Sequence, residues 1–235
     1  MNWYEIKAVS DEVAEIWIYD EIGEDWFGEG LTAKAFVEEI GAIKAPAIDL
    51  HINSPGGSVF DGQAIYNAIQ RHPAKVTSYI DGLAASIAST IALAGDKVVM
   101  AANALFMIHQ PWGLAMGPAS EMRSMADVLD KIAGTLVAIY AAKSSKDEAD
   151  IMSAMDAETW YTAAEAAEYG FVDEVGDEMK LAARFDLEAL GKFRHPPKMN
   201  TIPSGGGAPP VEPPVEVADQ DEPAPPPSYP RSIAV

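Results

Sequence analysis

Residues 79–95, YIDGLAASIASTIALAG, are apolar enough to be buried yet hold almost no large side chain. The run before it, KVTSYI (75–80), alternates β-branched and aromatic residues and reads as a strand. Residues 84–94 read as a helix that follows the strand directly. Ser86 then falls in the first helical turn, where N–H groups lack intrahelical acceptors and the dipole favours negative charge. That environment suits a developing alkoxide and an oxyanion beside it. Ala84, Ala85 and Ala88 would let a substrate backbone come close. Ser89 is the competing serine, one turn deeper.

Outward from this stretch, short apolar runs alternate with helical patterns. AEIWIYDEI (14–22) and AIDLHIN (47–53) read as strands, and LTAKAFVEEIGAI (31–43) as a helix with Thr32 as N-cap. VFDGQAIYNAIQRH (59–72) has helical spacing through Val59, Ala64, Ile65, Ala68 and Ile69. Strands KVVMA (97–101) and ALFMIH (104–109) follow, then a long helix over about 118–143 with Pro118 in its first turn. Shorter helices are predicted near 146–154 and 162–169, with GFVDEV (170–175) as a closing strand. Such alternation means βαβ units, parallel pairing and an α/β class.

The composition excludes several functions. The chain has no cysteine, so disulfides, thiolate zinc sites and a cysteine nucleophile are out. Its 16 Lys and Arg against 36 Asp and Glu leave a net charge of −20, which repels phosphate backbones and anionic lipid. Neither nucleic acid nor membrane is expected as a partner. The N-terminus lacks the cationic start and apolar run of a signal peptide, and residues 82–95 are too short to span a bilayer, so a cytoplasmic protein is expected. No GxxxxGK[ST], no GxGxxG opening a helix and no HExxH occurs, and the carboxylates show no metal-ligand spacing with histidine. No cofactor or metal is expected.

Three further places carry candidate chemistry. NSPGGS (53–58) ends a buried strand, and its two glycines allow close backbone approach or positive φ, although SPGG is also an ordinary turn. Among the four histidines, His195 borders a Pro-rich segment, His72 ends a helix and His51 lies inside a strand. His109 ends a strand before a proline turn, so it can face a cleft and act as a base. The carboxylates of MDAETWYTAAEAAEYGFVDEV (155–175) could orient that imidazole. Of these, Glu165 stands three residues after Thr162, as a capping box requires, which leaves Asp156 and Glu158 free to point elsewhere.

INSPGG, GLAASIAS, MIHQP and TAAEAAEYGFVDEV, in that order and with those gaps, closely resemble the ClpP family of serine peptidases from about residue 12 to 176. The resemblance implies the ClpP/crotonase-type spiral of βαβ units with a protruding helical region. It implies a serine endopeptidase with Ser86 as nucleophile and His109 as general base, and with oxyanion donors from the N–H groups of Gly57 and Ile87. The third residue departs from the family, which usually carries Asp there. Glu158 aligns without a gap, whereas Asp156 would need a local shift, and Glu158 is taken. The family's ring assemblies imply a homo-oligomer, with the 118–143 helix as the ring-to-ring contact.

Within the family, HQPWGLAMGPASEMRSMADVLDKIAGTLVAIYAAKS, ETWYTAAEA and KLAARFDLEALGKFRHPP are similar to the phage head-maturation (prohead) proteases. That likeness implies scaffold and capsid proteins as substrates, in the host cytoplasm within assembling proheads. The first predicted strand begins early, where housekeeping members carry a longer segment that contacts an unfoldase. A peptidase subunit working with an ATP-driven unfoldase in general degradation is the alternative. Twelve of the seventeen prolines lie between Pro196 and Pro230, so residues 1–195 are expected to form the protease domain and 196–235 a disordered Pro- and Gly-rich acidic tail.

Overall fold

A computed structural model describes residues 3–8, 10–23, 32–179 and 187–196. The predicted tail lies outside these residues, apart from Pro196. The described chain is α/β. Eight strands among the described residues make one sheet, in the path β1 (Tyr4–Ala8), β2 (Val13–Ile18), β3 (Ala47–Ser54), β4 (Lys75–Ala85), β5 (Lys97–Ala101), β8 (Glu174–Gly176), with β6 (Leu105–Ile108) pairing with β4 and β7 (Thr159–Thr162) pairing with β6.

β1 (Tyr4–Ala8) runs antiparallel to β2 (Val13–Ile18), and β2 starts the parallel series β2, β3 (Ala47–Ser54), β4 (Lys75–Ala85), β5 (Lys97–Ala101). Helices α1 (Ala33–Ala42) and α2 (Val59–Gln70) form the crossovers, as the 3.6-residue spacing of their apolar positions predicts. Phe36, Ile40, Ile65 and Ile69 from these helices join Ile16, Ile48, Leu50, Ile52 and Ile80 in one buried cluster. Each such side chain contributes roughly 1.5–3 kcal/mol by leaving water.

The outer side of these strands is half-polar. Trp17, His51 and Tyr79 stand in register on β2, β3 and β4 and stack at 5.5 and 5.1 Å. His51 Nδ1 lies 2.9 Å from Asp81 Oδ2, which also accepts the Tyr19 hydroxyl at 2.6 Å. Burial works to lower the His51 pKa, and the Asp81 hydrogen bond and charge, together with the charges of Glu15 and Asp49, outweigh it and raise it. His51 is thus a structural histidine, as its mid-strand position predicts.

The strand containing Tyr79 is longer than the sequence pattern predicts. β4 continues through Ala85, because Leu83–Ala85 pair in parallel with Leu105–Met107 of β6 (Leu105–Ile108). Its first half pairs with β5 instead, so β4 changes neighbour at about Asp81. The helix expected at 84–94 shrinks to α3 (Ile87–Ala92), with Ser86 as its N-cap rather than inside its first turn. Alanine is a good helix former, but the ladder with β6 overrides that preference here.

The long helix α4 (Ala119–Ser144) follows, with Pro118 as its N-cap. Next come α5 (Glu148–Asp156), β7 (Thr159–Thr162), α6 (Ala163–Tyr169) and β8 (Glu174–Gly176). β1 and β7 have no counterpart among the predicted elements. Neither does the 3₁₀ turn Leu187–Lys192.

Thr162 and Glu165 form the predicted capping box of α6. Thr162 N donates to Glu165 Oε2 at 2.8 Å, and Glu165 N donates to Thr162 Oγ1 at 3.4 Å. Thr162→Ala should therefore lower stability by about 1 kcal/mol. A urea unfolding midpoint that does not move would contradict this accounting.

Candidate active site

The site begins where β4 gives way to α3. Ser86 has φ 56° and ψ −131°, a conformation that L-residues seldom adopt outside constrained turns. Its N–H donates to Met107 O at 3.0 Å, tying it to β6, while its carbonyl accepts from Ser89 N at 3.0 Å and Ser89 Oγ at 2.5 Å. The turn aims the Ser86 hydroxyl away from the strand toward His109, which stands just past the end of β6. Ser86 Oγ and His109 Nε2 are 2.7 Å apart, within hydrogen-bond reach. Ser89, the competing serine, is fully buried and engaged with Ser86 O and the Tyr140 hydroxyl.

The glycine loop after β3 closes the other side. Gly56 has φ 91°, and a Cβ there would lie 2.7 Å from Ser86 Cβ and 2.8 Å from Ala85 O. Gly57 bridges to Ile22 in parallel fashion: Ile22 N donates to Gly56 O at 2.8 Å and Ser58 N donates to Ile22 O at 2.9 Å. These bonds leave the Gly57 N–H out of the bridge. The Ile87 N–H, at the first helical residue, precedes any intrahelical acceptor. Both amides of the predicted oxyanion pair thus belong to segments that flank Ser86.

Ser86, His109 and Gly57 line a cleft of about 290 Å³ whose far wall is apolar, with Phe60, Trp112, Met125 and Leu129. The predicted acids occupy the neighbouring cleft, which His109 shares with Asp156 and Glu158. Asp156 Oδ1 accepts from Gln110 Nε2 at 2.9 Å. Glu158 is buried, with φ 51°, and its Oε2 and Oε1 accept the main-chain N–H groups of Arg194 and His195 at 2.9 and 2.6 Å.

With this geometry in hand, the comparisons with known proteins are specific. The Clp protease family model matches residues 2–179. The chain belongs to the Clp protease family. It is similar to the ATP-dependent Clp protease proteolytic subunit of Bacteroides fragilis, 40% identical over 130 residues, 54% of this chain and 63% of that relative. Proteolytic subunit 1 of Leifsonia xyli subsp. xyli is 36% identical over 138 residues, 58% of this chain and 70% of the relative. The Chlorella vulgaris subunit is 37% identical over 133 residues, covering 56% and 66%. The chain spans about three fifths of the length of the Bacteroides relatives it matches.

Electrostatics in this Clp family chain centre on His109. Burial holds its pKa below the ordinary imidazole range, the Glu158 charge raises it against that trend, and Lys192 and Arg194 lower it further. Two features of the site lie in stretches to which the motif reading gives no role at the site. One is Tyr140 of α4, whose hydroxyl bonds Ser89 and Thr90 beneath the Ser86 turn. The other is the segment carrying Lys192 and Phe193, which lines the Ser86 cleft. Leu190 and Phe193, three apart in LEALGKF, were its available signal. No helix among the described residues is long and apolar enough to cross a membrane.

Proposed function

We propose that this chain is a Clp-type serine endopeptidase in which Ser86 is the nucleophile, His109 the general base and Glu158 the carboxylate that stabilises the imidazolium. The observation that carries this reading is the 2.7 Å approach of Ser86 Oγ to His109 Nε2 at a strained strand–helix junction. In the first step Oγ attacks the peptide carbonyl as its proton passes to Nε2, and the N–H groups of Gly57 and Ile87 receive the oxyanion. His109 then gives the proton to the leaving amine, and water hydrolyses the acyl-enzyme by the same route. Glu158 is preferred over Asp156 because it is buried and its charge acts on His109, whereas the Asp156 carboxylate is turned to Gln110.

Intact-mass spectrometry after fluorophosphonate treatment tests the reading. A single adduct mapping to Ser86 is expected. No adduct on folded protein would sink it.

The pH profile follows from His109. The base must be neutral to accept the Ser86 proton, so rate falls as pH drops through its pKa. Because burial lowers that pKa, the acid limb should have its midpoint below the ordinary value of about 6.5. A midpoint at or above 6.5 in the rate of peptide hydrolysis would contradict the assignment.

The name of the relatives, ATP-dependent proteolytic subunits, favours work in general degradation with an ATP-driven unfoldase. These 235 residues carry no P-loop motif, so they would not themselves hydrolyse the ATP. A homo-oligomeric ring belongs to the same reading, with α4 as the contact; Met122 and Val128 of that helix and Trp112, Leu114 and Met116 before it are exposed apolar residues. The finer reading as a head-maturation enzyme acting on phage scaffold and capsid proteins rests on the likeness of residues 109–144, 158–166 and 180–197. There the segment from 196 onward would serve as a tether. Degradation of a folded protein that needs an added unfoldase and ATP supports the first role; limited cleavage of scaffold protein without them supports the second.

A further inference from the structure

Residues 187–195 lie past the family match, which ends at 179, yet Lys192, Phe193 and Arg194 among them line the clefts of the site. Leu190 and Phe193 are buried in a separate apolar cluster with Leu83, Ala85 and Met107, the strand ends that carry Ser86 and His109. The Phe193 ring meets His109 edge-on, with centroids 5.5 Å apart, and Trp160 in the same manner at 5.4 Å. The chain then presents two consecutive N–H groups to the two oxygens of Glu158. A carboxylate that accepts one main-chain donor on each oxygen is held in one orientation, and the buried Phe193 fixes where those donors sit. Lys192 Nζ reaches Glu21 Oε1 at 2.6 Å, pinning the segment to residues just beyond β2.

This segment is a wall and not a plug. The cleft that contains Ser86 and His109 remains open beside Phe193. We propose that residues 187–195 are a positioning element of the catalytic centre: Phe193 shields and orients the His109 ring, and the Arg194 and His195 N–H groups hold the Glu158 carboxylate beside it. The inference rests on the serine peptidase reading. Neither Phe193 nor the two amides touch the reacting atoms; they act through His109 and Glu158. The charged groups acting on His109 are Glu158 from the turn before β7 and Lys192 and Arg194 from the segment itself.

The test is the rate of fluorophosphonate labelling of Ser86 against pH, in the full chain. Phe193→Ala should slow labelling on the order of 10- to 100-fold. It should also move the acid midpoint up toward the ordinary imidazole value, because water regains the ring. Phe193→Leu, which restores apolar cover, should bring back most of both. A purely structural loss would lower the labelled fraction without shifting the midpoint. Should Phe193→Ala fail to fold, His195→Pro decides: it removes the N–H to Glu158 Oε1 and no buried side chain, and slower labelling is again expected.

Wild-type rate and midpoint in the folded variants would overturn the proposal. So would faster labelling, which would make the segment a restraint. Titration of His109 followed by NMR reads the same contact without reference to activity. A wild type that takes no label would therefore sink the peptidase reading alone, while the NMR midpoints of wild type and Phe193→Ala still decide on the segment: an upward shift supports it, an unmoved midpoint overturns it.

Discussion

Ser86→Ala is expected to lower peptide hydrolysis on the order of 10⁴- to 10⁶-fold while leaving the fold intact. The substitution removes one oxygen. The strained backbone at φ 56° is as uncomfortable for alanine as for serine, so stability should change little. The hydroxyls packed beneath the Ser86 turn cannot take over, and Ser58, which lines the same cleft, caps α2 by accepting from Asp61 N. Ser89 is fully buried, its Oγ is committed to Ser86 O and the Tyr140 hydroxyl, and Tyr140 itself is buried. The size of the effect also tests the partnership with His109. Two groups that act as one unit lose almost everything on the first deletion, so Ser86→Ala with His109→Ala should be barely worse than either alone. Measured kcat/KM values for the two singles and the double give the answer. Multiplying losses would mean that the 2.7 Å contact is not a catalytic pair.

The order of motifs was readable because each sits at a strand end, where residue type is dictated by chemistry and backbone geometry rather than by core volume. Two glycines at 56 and 57, a serine among alanines, and a histidine before proline leave few interpretations once they recur in that order. The precise setting of Ser86 was not readable. GLAAS has helical composition, and only pairing with Leu105–Met107, some twenty residues on, makes it strand. β7 carries no local signal for a related reason: TWYT is short and gains its identity from antiparallel pairing with β6.

The candidate acid shows the limit most plainly. Alignment by sequence picks Glu158 over Asp156, and in the structure Glu158 is buried. What holds Glu158, however, comes from 36 and 37 residues further along, through main-chain N–H groups that carry no sequence signature. Any residue except proline could donate there. Local patterns report which side chains face a core, and they are silent about a backbone that folds back onto a site.

Gly57→Ala should reduce kcat on the order of 10²- to 10³-fold, the loss that follows from misplacing one oxyanion donor. The effect is steric before it is catalytic. Gly57 has φ 151°, and an added Cβ would lie 2.2 Å from Ile22 O and 2.7 Å from Ile22 N, both of them backbone atoms. Neither atom can step aside, because the hydrogen bonds from Ile22 N to Gly56 O and from Ser58 N to Ile22 O lock the two segments together. The loop must therefore shift, and the Gly57 N–H shifts with it. A substrate held against the apolar wall of Phe60, Met125 and Leu129 would not be touched directly, so KM is expected to rise far less than kcat falls. Gly41→Ala provides the comparison, since a Cβ there meets nothing within 4 Å in α1. It should leave kcat unchanged and add about 0.5–1 kcal/mol of stability. If Gly57→Ala, folded by circular dichroism, retained wild-type kcat, the Gly57 amide could not be an oxyanion donor, and the developing charge would have to rest on Ile87 N–H alone.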